Sequence, residues 1–181
     1  MDTPRRYLVL TAIGPDRPGL VNQISSSIHA AGGSLEDSRM AILGGEFAVI
    51  LLLSGTQGSI ERIESERESL ERVTGLSIAL RNTARSEQRK NYLPYRIRVT
   101  GVDRPGIVLA VSQILSGRGV NVASLESRLA YAPLSGTPMF VLEAELEVPS
   151  EVELAQLRRE LASACEDDNL DFTLEGSPHR R

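Results

Sequence analysis

Two copies of an Asp-Arg-Pro-Gly tetrapeptide are the residues of this sequence whose types and spacing best suit ligand chemistry. One lies within Gly14–Leu20 and the other within Gly101–Ile107. Each follows a short run of strand-forming apolar residues and precedes apolar residues at helical spacing, so each should join a strand to a helix. The first N–H groups of a helix lack intrahelical partners and carry partial positive charge, which suits a carboxylate or a phosphate.

The side chains around these two loops could complete a site for a zwitterion. Gly19 and Gly106 lack a Cβ and would let a ligand approach the main chain. Asp16 and Asp103 would either cap the helix or meet an ammonium group. Each loop thus offers both charges that an amino acid requires.

Ordinary helix-start chemistry explains most of the same residues. Asp at the N-cap, Pro in the first turn and Gly in the turn are all common at helix starts. Neither capping nor turning requires an arginine, so the repetition of Arg17 and Arg104 favours a binding function. The sequence leaves both interpretations open.

The duplication extends beyond the tetrapeptide. Leu8–Leu35 aligns without gaps on Tyr95–Val122, with eight identities in 28 positions. Two inserted residues then align Asp37–Ala41 with Glu126–Ala130. We therefore predict two domains of roughly 85 residues, each large enough to bury its own core. The predicted boundaries are a first domain at 5–82, a linker at 83–92, a second domain at 93–175 and a disordered tail at 176–181.

The elements of each copy are predicted in the order β-α-β-β-α-β. In the first copy, periodicity and turn residues predict strands at Tyr7–Ile13, Leu35–Leu43, Glu46–Ser54 and Leu76–Leu80, with helices from Leu20 to Gly32 and around Ile60–Val73. In the second they predict strands at Tyr95–Thr100, Asn121–Tyr131, Met139–Val148 and Leu170–Leu174, a hairpin loop at Ala132–Pro138, and a helix at Ile107–Gly117.

A capping box, Ser150-Glu151-Val152-Glu153, predicts that the last helix begins near Ser150. The predicted class is α+β: two tandem ferredoxin-like βαββαβ domains, each a four-stranded antiparallel sheet with two helices on one face.

Composition excludes several classes of function. Twenty basic and twenty-four acidic residues give a net charge of −4, which disfavours direct binding to nucleic acid. No stretch approaches the roughly 20 apolar residues of a membrane span, and the apolar run near the N-terminus is short for a signal peptide. We expect a cytoplasmic protein that contacts no membrane.

The residues that most often catalyse or bind metals are few. The sequence has one cysteine, Cys165, and two histidines, His29 and His179, with none at metal-ligand spacing. Cys165 is in step with the apolar positions of the last helix and is interpreted as a small core residue. No nucleophile, base and orienting group can be assembled, so we expect no metal, no cofactor and no enzyme activity.

A basic stretch crosses the predicted linker. With no aromatic or helical framework, it is interpreted as a solvated connector, and docking of a partner protein is the alternative. Its members are Arg81, Arg85, Arg89, Lys90, Arg96 and Arg98.

The two loops, each leading into β-α-β-β-α-β, resemble ACT domains, small regulatory modules that bind amino acids. The resemblance covers residues 5–82 and 93–175. It implies a ligand between paired ACT domains, against the loop from the first strand to the first helix. The implied site comprises Asp16, Arg17, Gly19, Leu20 and Ser34 in the first copy and Asp103, Arg104, Gly106, Ile107 and Asn121 in the second.

The resemblance also assigns roles within that site. Gly19, Leu20, Gly106 and Ile107 would give backbone contacts, and both aspartates would lie near the amine. Asn121 stands where ACT domains often place a polar ligand contact, whereas the first copy has Ser34, so the two copies need not bind equally.

A bare tandem of two such domains, with the segment Asp37–Phe47, is similar to a family of repressors of glycine cleavage. That similarity implies a non-catalytic amino-acid sensor, for glycine or a similar ligand, that acts on transcription through a DNA-binding partner protein. An ACT-type regulatory subunit that gives a metabolic enzyme amino-acid feedback is the alternative. Because a ferredoxin-like sheet has two open edges, we also expect a homodimer.

Overall fold

The computed structural model describes residues 5–85, 91–131 and 136–177. The chain divides into two compact units with a boundary between Glu87 and Gln88, and we call them unit 1 and unit 2. Each unit contains four strands and two helices among its described residues.

Unit 1 begins with the sheet strand that leads into the first tetrapeptide loop. Its elements are β1 (Arg6–Pro15), α1 (Leu20–Ala30), β2 (Ser34–Leu43), β3 (Glu46–Gly55), α2 (Gln57–Thr74) and β4 (Ser77–Thr83). The sheet order is β2-β3-β1-β4, and all neighbours are antiparallel. Gly44 and Gly45, both at positive φ, form the turn between β2 and β3 as predicted.

Unit 2 repeats this order. Its elements are β5 (Tyr92–Val102), α3 (Ile107–Gly117), β6 (Asn121–Tyr131), β7 (Pro138–Pro149), α4 (Leu154–Asp167) and β8 (Leu170–Gly176). The sheet order is β6-β7-β5-β8, again antiparallel throughout. The helix at 107–117 and the strand at 121–131 have the predicted bounds. Part of the predicted hairpin loop, 132–135, lies outside the described residues.

Each unit has its own core between the sheet and its two helices. In unit 1, Leu8 and Leu10 of β1 are buried with Leu20 and Ile24 of α1 and Ile63 of α2. The corresponding core of unit 2 contains Ile97, Val111 and Leu161. Alternate strand residues thus face the helices, and the predicted α+β class with tandem ferredoxin-like domains is confirmed.

The predicted start of the last helix is wrong. α4 begins at Leu154 with Glu153 as N-cap, and no side chain caps it. β7 continues through Pro149, and the Val152 N–H donates to the Pro149 oxygen at 3.0 Å. Residues 149–152 therefore form a turn, in which the Ser150 hydroxyl donates to the Glu151 carboxylate at 3.4 Å rather than capping the helix.

The predicted two-residue insertion within the second strand is also wrong. Both edge strands carry a bulge at the same place, Glu36 in β2 and Ala123 in β6, so the offset of 87 residues continues along the strand. Asp37 pairs with Leu52, and Ser124 is its equivalent, opposite Glu145. A shift of two residues keeps every side chain on the same face of the sheet. The incorrect alignment therefore preserves the alternation of the strand, and alternation alone does not reveal the error.

The strands that border the predicted linker and the predicted tail are longer than predicted. β4 extends to Thr83 and β5 begins at Tyr92, while the linker residues 86–90 lie outside the described residues. Gly176 still pairs with Tyr95, so the strand enters the predicted tail, and 178–181, which include His179, are outside the described part of the chain.

The basic stretch is not one connector. Arg81 belongs to β4, and Arg96 and Arg98 belong to β5. Arg96 pairs with Glu145 and Arg98 with Glu143, each at 3.6 Å.

Within the described ranges, no helix is long and apolar enough to cross a membrane.

Candidate ligand-binding site

The first tetrapeptide loop of unit 1 ends in a glycine-capped helix start. Gly19 is the N-cap of α1 with φ 94°, and the Gln23 N–H donates to its oxygen at 3.0 Å. The N–H groups of Leu20, Val21 and Asn22 precede that bond and so have no intrahelical acceptor. The loop therefore presents a row of backbone donors at the positive end of a helix dipole.

Asp16 does not cap this helix. No side chain makes a cap hydrogen bond to α1, and the Asp16 N–H donates to the Gly45 oxygen at 2.9 Å. Among the described residues, the Asp16 carboxylate makes no hydrogen bond and no ion pair. Of the two alternatives, capping is therefore wrong, and contact with an ammonium group stays a prediction.

Unit 2 repeats the arrangement. Gly106 is the N-cap of α3 with φ 99°, and the Ala110 N–H donates to its oxygen at 2.9 Å. Ile107, the first residue of α3, is buried, as Leu20 is in unit 1. The Asp103 N–H donates to the Pro138 oxygen at 3.2 Å, and α3 too has no side-chain cap.

Arg17 and Arg104 bind the end of the second helix of their own units. Arg17 Nη2 donates to the Val73 and Thr74 oxygens at 2.9 and 3.2 Å, at the C-terminus of α2. Arg104 pairs with Asp168, the C-cap residue of α4. A cation at a helix C-terminus is stabilising, so the repeated arginine has a structural reason that the sequence did not reveal.

A hollow of about 550 Å³ opens beside the first loop of unit 1. Asp16, Arg17, Gly19 and Asn22 line it, together with Leu20. It adjoins a second cavity of about 310 Å³ between α1 and β2, because the two share four lining residues. The shared residues are Val21, Ser25, Met40 and Phe47.

The second cavity, which we call the groove, is mainly apolar. Ile24 and Ile28 of α1 and Val49 and Leu51 of β3 line it, and Leu35 and Met40 are its apolar members from β2. Leu35 and Met40 pair with Leu53 and Val49, so they face the helices, yet they are 49% and 53% exposed. The polar loop is thus continuous with apolar surface on one side of α1.

The predicted polar contacts that open the second strands lie in different settings. Ser34 lines the groove of unit 1. Asn121 opens β6, and its Nδ2 donates to the Glu147 carboxylate at 2.8 Å. Ser34 therefore lies at the groove of unit 1, whereas the amide of Asn121 is bonded to Glu147 of β7.

Sequence reasoning missed the side chains of the groove. Val21, Ser25, Ser38 and Met40 were not selected, although alternation along β2 placed Ser38 and Met40 on the helix-facing side. Their exposure could not be foreseen, because it depends on how far α1 lies from the sheet edge.

Cys165 is only 3% exposed and belongs to the core of unit 2, which confirms its interpretation as a core residue. Burial raises the pKa of its thiol, so the reactive thiolate is disfavoured. Within the part of the chain that the structure describes, no group of His, Cys, Asp and Glu side chains could hold a metal ion.

We expect Gly19→Ala to lower the free energy of unfolding by about 1–2 kcal/mol. The reason is the backbone, since a Cβ there would meet nothing within 4 Å but φ is 94°. Gly19→Asn should cost less, because Asn tolerates positive φ better. Urea unfolding of both variants tests this, and equal stability of Gly19→Ala and the wild type would contradict it.

Comparison with known protein families gives two matches along the chain. Sequence models of the ACT domain match residues 6–81 and residues 95–162. The first match spans β1 to the middle of β4, and the second spans β5 into α4.

Two curated relatives align over 165 residues at 29% identity, 91% of this chain and 87% of theirs. They are the glycine cleavage system transcriptional repressors of Escherichia coli (strain K12) and Shigella flexneri. A crystal structure of an unknown protein from Galdieria sulphuraria has 30% identity and a TM-score of 0.85, over 97% of this chain and 100% of that one. A second crystal structure, assigned as a glycine cleavage system transcriptional repressor, has 25% identity and a TM-score of 0.71, over 98% of this chain and 100% of that one.

Proposed function

Since this chain belongs to the ACT domain family, with one domain in each unit, we propose that it is a non-catalytic regulator that senses an amino acid. Its similarity to glycine cleavage system transcriptional repressors over most of both chains supports repression of glycine cleavage genes. With a net charge of −4 the chain has little means of neutralising phosphates, so contact with DNA is assigned to a partner protein. The proposal includes a homodimer in the cytoplasm.

The observation that carries the proposal is the hollow at the first loop of unit 1. The N–H groups that begin α1 suit the carboxylate of an amino acid, and Asp16 suits its ammonium group. The groove that adjoins the hollow offers apolar contacts to a side chain. Asp103, Gly106 and Ile107 form the corresponding loop of unit 2, with Asn121 and Arg104 already bonded to their own unit.

Calorimetry on the full chain tests the binding step. Glycine, serine and a panel of larger amino acids are titrated to millimolar concentration, with thermal unfolding as a second readout. We expect saturable binding, and stabilisation by about 2.7 kcal/mol at a hundred times the dissociation constant. The absence of binding across the panel would overturn the proposal.

A matched pair of variants locates the site. Ser25 lines both the hollow and the groove, and Ser112 is its equivalent in α3. Ser25→Leu should fill the cavity and abolish binding while the helix is kept, because leucine is a good helix former. Ser112→Leu should leave binding in unit 1 unchanged, and the opposite pattern would place the ligand in unit 2.

Affinity purification of the tagged chain from its source, followed by mass spectrometry, tests the partner. We expect recovery of a protein with a DNA-binding helix-turn-helix domain. Recovery of a biosynthetic enzyme in its place would reject transcriptional repression and support the alternative, a regulatory subunit.

A further inference from the structure

The sheet of unit 1 has a second surface, on the side away from its helices. We call it the open face of unit 1. Its residues alternate with the buried core positions of the strands. On the central strands β1 and β3 they are uncharged from Val9 to Ile13 and from Ala48 to Leu52, whereas the edge strands contribute Asp37 and Arg39 of β2 and Arg81 of β4. Its uncharged members include Val9, Thr11, Ile13, Ala41, Ala48, Ile50, Leu52 and Ala79.

These residues are largely accessible to solvent. Ile13 is 55% exposed and Ile50 is 48% exposed, while Val9 and Leu52 at the centre of the face are half-buried. Single exposed apolar side chains are common on soluble proteins, but a contiguous apolar patch marks a surface that binds something.

The corresponding face of unit 2 is charged, although the fold is the same. Strand pairing makes Arg96 and Glu145 the equivalents of Val9 and Leu52. It likewise makes the Arg98 and Glu143 pair the equivalent of Thr11 and Ile50. Both pairs lie at 3.6 Å across the strands. An ACT sheet therefore does not need an apolar open face in order to fold, and the apolar face of unit 1 requires another reason.

We propose that the open face of unit 1 is a homodimer interface, on which the same face of a second copy of this chain stacks with a two-fold axis parallel to the strands. The apolar centre of this face is complementary to itself, as an isologous interface must be. Two antiparallel sheets that pack in this way form a sandwich whose inner side chains interdigitate. The proposal specifies the dimer that the proposed function includes.

Charge at the edges of the face supports this axis. Asp37 of β2, Leu52 of β3, Val9 of β1 and Arg81 of β4 form one row across the sheet. Consider a two-fold axis that runs between β1 and β3 and parallel to both strands. It places the same row of the second copy over that of the first, in the opposite order from β2 to β4. Leu52 then faces Val9 of the other copy, and Asp37 faces Arg81 of the other copy, twice in each dimer. Asp37 also pairs with Arg39 of its own strand at 2.6 Å, so it would bridge two arginines, and Arg39 itself would face the small Ala79 of the other copy.

An axis across the strands would stack each β4 on its counterpart. The open-face residues of β4 are Ser77, Ala79 and Arg81, together with Thr83 at its end. In that arrangement Arg81 would face no acidic side chain of β4, so charge complementarity favours the parallel axis.

The test uses the full chain in sedimentation velocity and light scattering. The wild type should have twice the chain mass of 19.7 kDa. Thr11→Arg combined with Ile50→Glu gives unit 1 the ion pair that unit 2 carries at these positions, so the sheet should still fold. Because burying charges in the interface is unfavourable, dimerisation should weaken about tenfold or more.

Arg98→Ala, on the open face of unit 2, is the control and should leave the mass unchanged. A monomeric wild type, or a double variant that dimerises as the wild type does, would overturn the proposal. For the axis, Asp37→Arg should weaken the dimer, and adding Arg81→Asp should restore it. No restoration would reject the two-fold arrangement.

Ligand titrations separate this proposal from the proposed function. The hollow and the groove lie on the helix side of the sheet, so the monomeric variant should bind the amino acid as the wild type does if unit 1 holds the site. A dimeric wild type that binds no amino acid would reject sensing and leave the interface supported.

Discussion

Asp16→Asn is expected to weaken amino-acid binding by about ten- to a hundredfold, because a hydrogen bond to a charged group contributes about 1.5–3 kcal/mol. The variant removes the negative charge of the hollow and keeps the size of the side chain. The backbone bond from Asp16 to Gly45 should persist, since it does not involve the side chain. Calorimetry with the amino acid that binds the wild type is the measurement.

Asp103→Asn in unit 2 is the matched control for that prediction. If only unit 1 holds ligand, the affinity and stoichiometry of this variant should equal those of the wild type. Both variants should keep the wild-type melting temperature, because neither residue caps its helix. Unchanged affinity in Asp16→Asn would contradict the role we give to its carboxylate.

Gly101→Ala is expected to lower the free energy of unfolding of unit 2 by about 3 kcal/mol. A Cβ at this glycine would lie 2.4 Å from Leu170 Cδ2 and 3.0 Å from the Asn169 oxygen. The backbone oxygen cannot move without disturbing the pairing of β5 with β8, in which Gly101 is opposite Leu170. Urea unfolding followed by circular dichroism measures the loss.

Two other glycines calibrate this result. Gly14 is the equivalent position in unit 1, and its Cβ would meet Leu76 Cδ2 at 3.0 Å, so Gly14→Ala should cost less than Gly101→Ala. Gly58 in α2 has open space around it, and Gly58→Ala should stabilise by about 0.5 kcal/mol. Hydrogen exchange in β5 and β8 should rise in Gly101→Ala alone, and a reversed order of stabilities would show that close packing is not the cause.

The duplication, the order of elements and the fold class could be predicted from the sequence. The signals are local or periodic: alternation in β1 and β3, helical spacing in α1, and Gly44-Gly45 at the hairpin. The tetrapeptides also placed each loop correctly between a strand and a helix. A repeated sequence reinforces every such signal, since both copies must satisfy the same fold.

Two predictions from local motifs, the start of the last helix and the alignment of the second strands, were wrong because the chain forms a different local structure there. The capping box at Ser150 has the right residues, but Pro149 continues β7 and the next residues turn before α4 begins at Leu154. The strand alignment slipped by two residues, because Asp37–Ala41 and Glu126–Ala130 share a pattern that period-two alternation cannot distinguish.

What the sequence alone determined is therefore the fold and the place of the two tetrapeptide loops between a strand and a helix. The tertiary structure alone decided what the side chains of those loops contact. Arg17 reaches the end of α2 across 56 residues of chain, and α1 and β2 leave a groove between them. Distances between elements remote in sequence depend on how helices pack on a sheet, and no local pattern encodes them. The same packing turns Val9 and Ile50 away from the helices. Unit 2 has Arg96 and Glu143 at the equivalent positions, so only the comparison of the two sheets shows that the fold does not require apolar residues there.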